Sequence, residues 1–303
     1  MAEKKMSTGK IIGIIIGGLA LLFVFSGGCF VLGLLSGSLS DTSGYRQGNI
    51  YEINIEGVIT GTEQSGILGG GATTPKEVIA QLDIAEKSNN IKAILLRVNS
   101  PGGSPAASQE IYQELKKAEK PVVVSVSDTC ASGAYYISCA ADRIIANPAS
   151  SVGSIGVVMQ VPNLEGLYDK LGIEYTTIKQ GKYKDMGNTS REITGEEKKL
   201  LEEQTKKIYE QFISDVAESR EISKDKVKEL ATGWVYLGSE AVGLELIDEL
   251  GTYKDAINVA AELGGVVDEP MVVSAQEFSF YDILLQYYLG GILSRLKLFN
   301  YLY

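Results

Sequence analysis

Ser132 sits in a setting suited to nucleophilic chemistry. The stretch Thr129-Cys130-Ala131-Ser132-Gly133-Ala134-Tyr135-Tyr136 follows the β-branched run Val122-Val123-Val124-Ser125-Val126 and a short polar turn. The run reads as a buried strand, and the small residues after it as the opening of a helix. A serine at such a junction is accessible, and nearby backbone N–H groups can face the oxyanion of a tetrahedral intermediate. The same composition suits a serine chosen only for close helix packing.

A second strand-to-helix loop, Asn99-Ser100-Pro101-Gly102-Gly103-Ser104, follows a predicted strand over 91–98. Its glycines let backbone amides turn toward one point at a helix N-terminus, as an oxyanion hole requires. Alone it is an ordinary tight turn. Two consecutive units of this layout, however, converge at one edge of a parallel sheet.

A serine nucleophile needs a base, and composition narrows the choice. The 303 residues include no histidine, which excludes Ser-His-Asp triads, Cys-His dyads and histidine-ligated zinc. The base is therefore a carboxylate or a lysine. Lys170, Lys179, Lys182 and Lys184 lie close together in the chain, and composition does not choose among them. Ser150, Ser151 and Ser154 are spaced by small residues and are either structural or able to orient an amine. The three cysteines, Cys29, Cys130 and Cys139, form no metal-binding pattern or disulfide framework, so Cys130 reads as a small buried residue. A net charge of −10 disfavours nucleic acid as a partner.

Residues 11–40 carry no charge, and Lys4, Lys5 and Lys10 precede them. At about 1.5 Å per residue, a helix over 11–35 spans a hydrocarbon core of roughly 30 Å. The lysines predict a cytoplasmic N-terminus (1–10), an anchor (11–35) and a polar Gly/Ser linker (36–48), with the rest of the chain outside.

From residue 49 to 270 the pattern alternates strands and helices, which predicts an α/β domain. Strands are expected over 50–55, 91–98, 122–126, 142–146, 154–159, 175–179 and 271–274. Thr74-Pro75 opens a helix whose apolar face is Val78, Ile79, Leu82 and Ile84. A long amphipathic helix over 194–219 has Leu201, Ile208, Phe212 and Val216 on one face and a Thr194–Glu197 cap. Shorter helices are expected over 164–171, 224–230, 239–246 and 253–263. The remaining tail, 271–303, is apolar and aromatic from Phe278 onward. It suits a membrane interface, a subunit contact or an active-site groove.

Four segments in order now carry a resemblance: Arg97-Val98-Asn99-Ser100-Pro101-Gly102-Gly103, Ala131-Ser132-Gly133-Ala134-Tyr135-Tyr136-Ile137, Ser151-Val152-Gly153-Ser154-Ile155-Gly156-Val157 and Gly181-Lys182-Tyr183-Lys184-Asp185. From about Asn49 to Leu263 the sequence resembles the signal peptide peptidase A family of bacterial membrane-anchored serine proteases. The resemblance implies a ClpP/crotonase-like stack of ββα units and a Ser–Lys dyad with Ser132 as nucleophile and Lys184 as general base. It leaves Lys182 as a bystander. It further implies oxyanion donors at Gly102, Gly103 and Gly133, and Ser154 as a partner that orients the lysine. Ala134 departs from the glycine frequent in the family, which narrows the site slightly.

The implied activity is endopeptidase cleavage of signal-peptide remnants and other hydrophobic or unfolded segments at the membrane, with no metal or cofactor. Double-length relatives divide the lysine and serine motifs between two halves. A half-length chain is therefore expected to form a homo-oligomeric ring with shared active sites. The competing readings are a non-catalytic membrane scaffold and a crotonase-like acyl-transfer enzyme.

The charge asymmetry of the N-terminal segment makes a direct prediction. Protease added to intact, wall-stripped cells should trim the region after Ser40. Digestion only after lysis would reverse the orientation.

Overall fold

The computed structural model describes residues 48–62 and 71–275. The predicted cytoplasmic segment, anchor and nearly all of the linker lie outside the described residues, as do most of the glycine-rich loop after Thr60 and the tail beyond residue 275. Among the described residues, no helix is long and apolar enough to cross a membrane.

The chain alternates strand and helix as β1 (Ile50–Ile59), α1 (Pro75–Lys87), β2 (Ala93–Gly103), α2 (Pro105–Leu115), β3 (Val122–Ala131) and α3 (Gly133–Ser138). Two short strands follow, β4 (Arg143–Ala146) and β5 (Ser151–Gly153). The helices α4 (Glu165–Leu171), α5 (Gly195–Ser219) and α6 (Lys224–Leu230) precede β6 (Val235–Leu237) and the single turn α7 (Gly238–Ala241). The described part ends with β7 (Glu249–Leu250), α8 (Tyr253–Leu263) and β8 (Val272–Ser274).

The strands form one mixed sheet in the order β6-β5-β3-β2-β1-β8, with β4 beside β3 and β7 beside β4. All described pairings are parallel except β5 with β6. Parallel strands buried on both faces read as continuous apolar runs, and Val122, Val123, Val124 and Val126 of β3 are all buried. One face, with Ile53, Ile55, Leu96 and Val124, packs on α1, α2 and α3; the other, with Ile50, Leu95, Val123 and Ile145, packs on Ala256 and Ala260 of α8.

Local chemistry starts the helices where the sequence predicts. Thr74 caps α1 by accepting from the Glu77 N–H, with Pro75 at the first turn. Thr194 and Glu197 form the expected reciprocal capping box on α5. In α1 the buried positions are Pro75, Val78, Leu82 and Ala85. Ile84, expected on that face, is 56% exposed, because the 3–4 spacing brings Ala85 inward instead.

Two further expectations are corrected. The predicted strands over 154–159 and 175–179 have no regular structure. The chain leaves the sheet after Gly153, whose φ is +98°, and Ser154 N–H donates to Trp234 O at 2.8 Å. Among the described residues, no strand pairs with the chain beyond that point, and Val158 and Ile178 are 82% and 92% exposed. The strand expected over 271–274 is present as β8, and its pairing with β1 extends the sheet to Ser274.

Tyr135 anchors α3 to the far side of the core. It is fully buried, and its hydroxyl donates to Leu246 O at 2.8 Å. Removing the donor leaves that carbonyl without its partner, which costs about 1–3 kcal/mol. Tyr135→Phe should therefore lower the unfolding free energy by that amount in chemical denaturation, with the native circular dichroism spectrum retained.

Candidate active site

The registers of the central strands line up three backbones. Ser100 of β2 lies opposite Cys130 of β3, which lies opposite Val152 of β5. Two residues further along lie Gly102, Ser132 and Ser154; Gly102 still pairs with Val58 of β1, whereas Ser132 and Ser154 lie just past the ends of β3 and β5. Ser132 has φ +52° and ψ −122°, a conformation rare for a residue with a side chain. Its amide donates to Gly153 O at 2.8 Å, and its carbonyl accepts from Tyr136 N–H at 2.9 Å to start α3. The sharp strand-to-helix turn lifts the Ser132 side chain out of the sheet, and such backbone strain, of order 1–3 kcal/mol, concentrates at functional sites.

Gly102 makes this turn sterically possible. A Cβ on Gly102, whose φ is +94°, would lie 2.6 Å from Gly133 N and 2.9 Å from Ser132 Cβ. Its own amide donates to Ser100 Oγ at 3.1 Å, and Ser100 donates in turn to Gly57 O at 2.6 Å. The Gly102 N–H is thus committed within the loop. Gly133 is the first residue of α3, where amides have no intrahelical acceptor. The space in front of its Cα is bordered by Gly103 N, 3.3 Å from a would-be Cβ.

Ser132 opens onto a cleft of about 600 Å³. Gly103, Ser108, Gly133, Tyr136 and Ser154 line it around the serine, and Gly156, Val157 and Val158 form one wall. Ile208, Tyr209, Gln211 and Phe212 of α5, with Ala231, Thr232 and Gly233, close the other side. Ser154, also at positive φ (+50°), donates through Oγ to Gly233 O at 3.3 Å. Two predicted residues do not line this cleft: Gly102 lies behind it, and Lys184 is elsewhere in the chain.

Among the described residues, no carboxylate, lysine, arginine or histidine lines the cleft. Tyr136 has an acidic partner, but burial first and then its hydrogen bond to Asp215 push the phenol well above its ordinary value. Cys130, two residues from Ser132, is fully buried, and burial pushes its thiol up to about 12. A thiol in that state is inert.

Lys184 lies in an irregular turn between Gly181 and Met186, with its side chain exposed. Its neighbours are paired. Lys179 Nζ donates to Asp185 at 2.5 Å, and Lys182 Nζ to both oxygens of Glu196 at 2.7 and 2.6 Å. Among the described residues, no hydrogen bond or ion pair engages Lys184 Nζ. The geometry thus separates lysines that composition leaves equivalent.

The cleft wall from α5 is a feature that sequence reasoning did not assign to the site. Ile208 and Phe212 carry an i, i+4 apolar signal, but that signal is the same for a core-facing stripe. The Thr232-Gly233 rim had no local signature beyond its glycine.

The sequence model of peptidase family S49 matches residues 114–267, and that of Clp protease matches residues 70–153. A protein of Methanocaldococcus jannaschii that carries a protease name is 42% identical over 211 residues, covering 69% of this chain and 68% of that protein. A protein of Enterococcus faecium named as a signal peptide peptidase is 36% identical over 212 residues, covering 69% of this chain and 62% of its own length. The chloroplastic serine protease SPPA of Arabidopsis thaliana is 36% identical over 200 residues, covering 65% of this chain and 30% of that longer protein.

The Lys184 region rests on Glu197, whose carboxyl is held down to about 2 by the Arg191 guanidinium and the Thr194 backbone N–H. A depressed carboxyl stabilises the fold above its ordinary value of 4.5 and loses that contribution as pH falls toward about 2. Stability measured by denaturant titration should decline across that window. Glu197→Gln should flatten this part of the curve.

Proposed function

The chain belongs to peptidase family S49, and on that premise we propose that it is a membrane-anchored serine endopeptidase with a Ser132–Lys184 dyad completed between subunits. One observation carries this reading: among the described residues, Ser132 is held in a strained turn in a cleft without a base, while Lys184 stands unpaired on an exposed segment of the same chain. A second copy of the chain would bring the missing amine to the cleft. Exposed apolar side chains on the same segment, including Val158, Leu167, Leu171 and Ile178, favour burial against such a neighbour. A closed ring satisfies every copy by the same contact.

In this reading Ser132 Oγ attacks the peptide carbonyl while Lys184 of a neighbouring copy takes its proton. The oxyanion accepts from the N–H groups of Gly103 and Gly133, and Gly102 contributes room rather than a donor. The lysine passes its proton to the leaving amine, and water then hydrolyses the acyl-enzyme by the same route. A lysine serves as a base only when neutral, which a poorly solvated site favours, and closure of the cleft by a neighbour provides one. Ser154 faces the same cleft and is the residue on hand to orient the incoming amine.

The fold is read as the ClpP/crotonase-like stack, which the Clp protease match and the parallel strand–helix order support. Val157, Val158, Ile208 and Phe212 make the cleft apolar and fit hydrophobic substrate side chains. With an anchor over 11–35 and the catalytic domain outside, the substrates proposed are signal-peptide remnants and other apolar segments released at the membrane.

Ser132→Ala and Lys184→Ala should each abolish peptide hydrolysis while the fold is retained. Co-expressed, the two inactive variants should regain part of the activity, because some interfaces pair an intact serine with an intact lysine. Mixed oligomers that form but stay inactive would place a complete dyad within each copy.

A further inference from the structure

The turn that carries Lys184 is tied to the first turn of α5 on both sides of the lysine. Upstream, Lys182 and Tyr183 donate to Glu196. That pair is exposed, with side chains 65% and 54% accessible, and exposed pairs contribute little. Downstream the connection is different in kind. Asp185, next to Lys184, accepts from Arg191 Nε at 2.9 Å. The two terminal nitrogens of Arg191 then reach both oxygens of Glu197 at 2.9 and 2.6 Å. The Glu197 side chain is only 3% exposed and also accepts from Thr194 N and Oγ1 at 2.9 and 3.0 Å.

Arg191 therefore joins two acidic groups that no other hydrogen bond or ion pair among the described residues links. One is part of the helix cap, and the other adjoins Lys184. A planar guanidinium that pairs through a fork fixes orientation as well as distance, which a lysine ammonium does not. Later turns of the same helix, at Ile208 and Phe212, wall the chain's own cleft.

We propose that Arg191 is a positioning residue for Lys184. It fixes the Lys184 turn against the capped end of α5, so that the amine is presented from a rigid support rather than from a loop. This rests on the reading of Lys184 as the general base. Arg191 touches no reacting group. Its effect passes entirely through Asp185 and the backbone of the turn.

The test uses the full-length oligomer with Arg191→Gln, Arg191→Lys, Asp185→Asn and Lys184→Ala, assayed on an apolar peptide and by fluorophosphonate labelling of Ser132. A displacement of about 1 Å at a reacting group costs roughly 100-fold. Arg191→Gln and Asp185→Asn should therefore lower kcat by about 10- to 100-fold and change KM by less than about 2-fold. Arg191→Lys, which keeps the charge but not the fork, should recover part of the loss. In the Lys184→Ala background, Arg191→Gln should not slow phosphonate labelling further, because a residue acting only through the lysine has nothing left to position.

Wild-type kcat in Arg191→Gln, or equal slowing of labelling with and without Lys184, would overturn the inference while leaving the dyad intact. An active Lys184→Ala would instead remove the base assignment itself. If Arg191→Gln fails to fold, Asp185→Asn, which leaves the Arg191–Glu197 pair in place, carries the same comparison.

Discussion

The close approach of three backbones around Ser132 is the constraint on which the site depends. The end of β2, the β3–α3 junction and the end of β5 meet where Gly102 has no Cβ to separate them. Ser132 N–H is anchored to Gly153 O, and Ser100 bridges Gly57 O and the Gly102 amide. The registers Ser100 with Cys130 and Cys130 with Val152 hold all three segments at the same level. Hence the buried sheet and the strained serine are one feature. The sheet over-determines the turn, and the turn could not persist without it.

The same arrangement explains why no charged side chain among the described residues lines the cleft. Its floor is strand ends and its near wall is α3, whose Tyr135, Tyr136 and Ile137 are used to hold the helix to the core. Its far wall is α5, which contributes Ile208 and Phe212. A charge on any of these faces would be buried without a partner, at substantial cost. The ionisable residues instead gather at the other end of α5, where Arg191, Asp185, Glu196, Glu197, Lys179 and Lys182 neutralise one another. One helix thus links an apolar cleft to a polar platform, with Lys184 at the edge of the latter.

Much of the local structure was legible because local chemistry determines it. Thr74-Pro75 and the Thr194–Glu197 cap start helices as their side chains dictate. The β-branched run at 122–126 is buried on both faces, as its composition requires. The misread segments are those whose state depends on distant partners. Val157 and Val158 look like strand residues, but the β5–β6 pairing ends just beyond Gly153, with the Ser154 N–H on Trp234 O, and neither valine adds to the sheet. Gly102 resembles Gly103 in sequence, and only the Ser100 hydroxyl distinguishes their amides. Ile84 and Ala85 are adjacent, and helix phase rather than hydrophobicity decides which is buried. Separating Lys184 from Lys182 by residue type alone was equally out of reach, since the difference lies in the reach of Glu196.

The absence of histidine sharpens the role of assembly. An imidazole can act as a base near neutral pH while partly solvated, so a histidine protease can complete its site within one chain. A lysine needs an environment that disfavours its charged form. Within this chain the uncharged cleft is such an environment, yet Lys184 stands apart from it among charged side chains. In the proposed dyad, delivery of the amine by another copy meets both conditions, an exposed amine before assembly and a desolvated one during catalysis. On this argument the separated chain keeps its serine folded, strained and ready but without a base. In that proposal activity arises with the interface, which confines hydrolysis to the assembled protein.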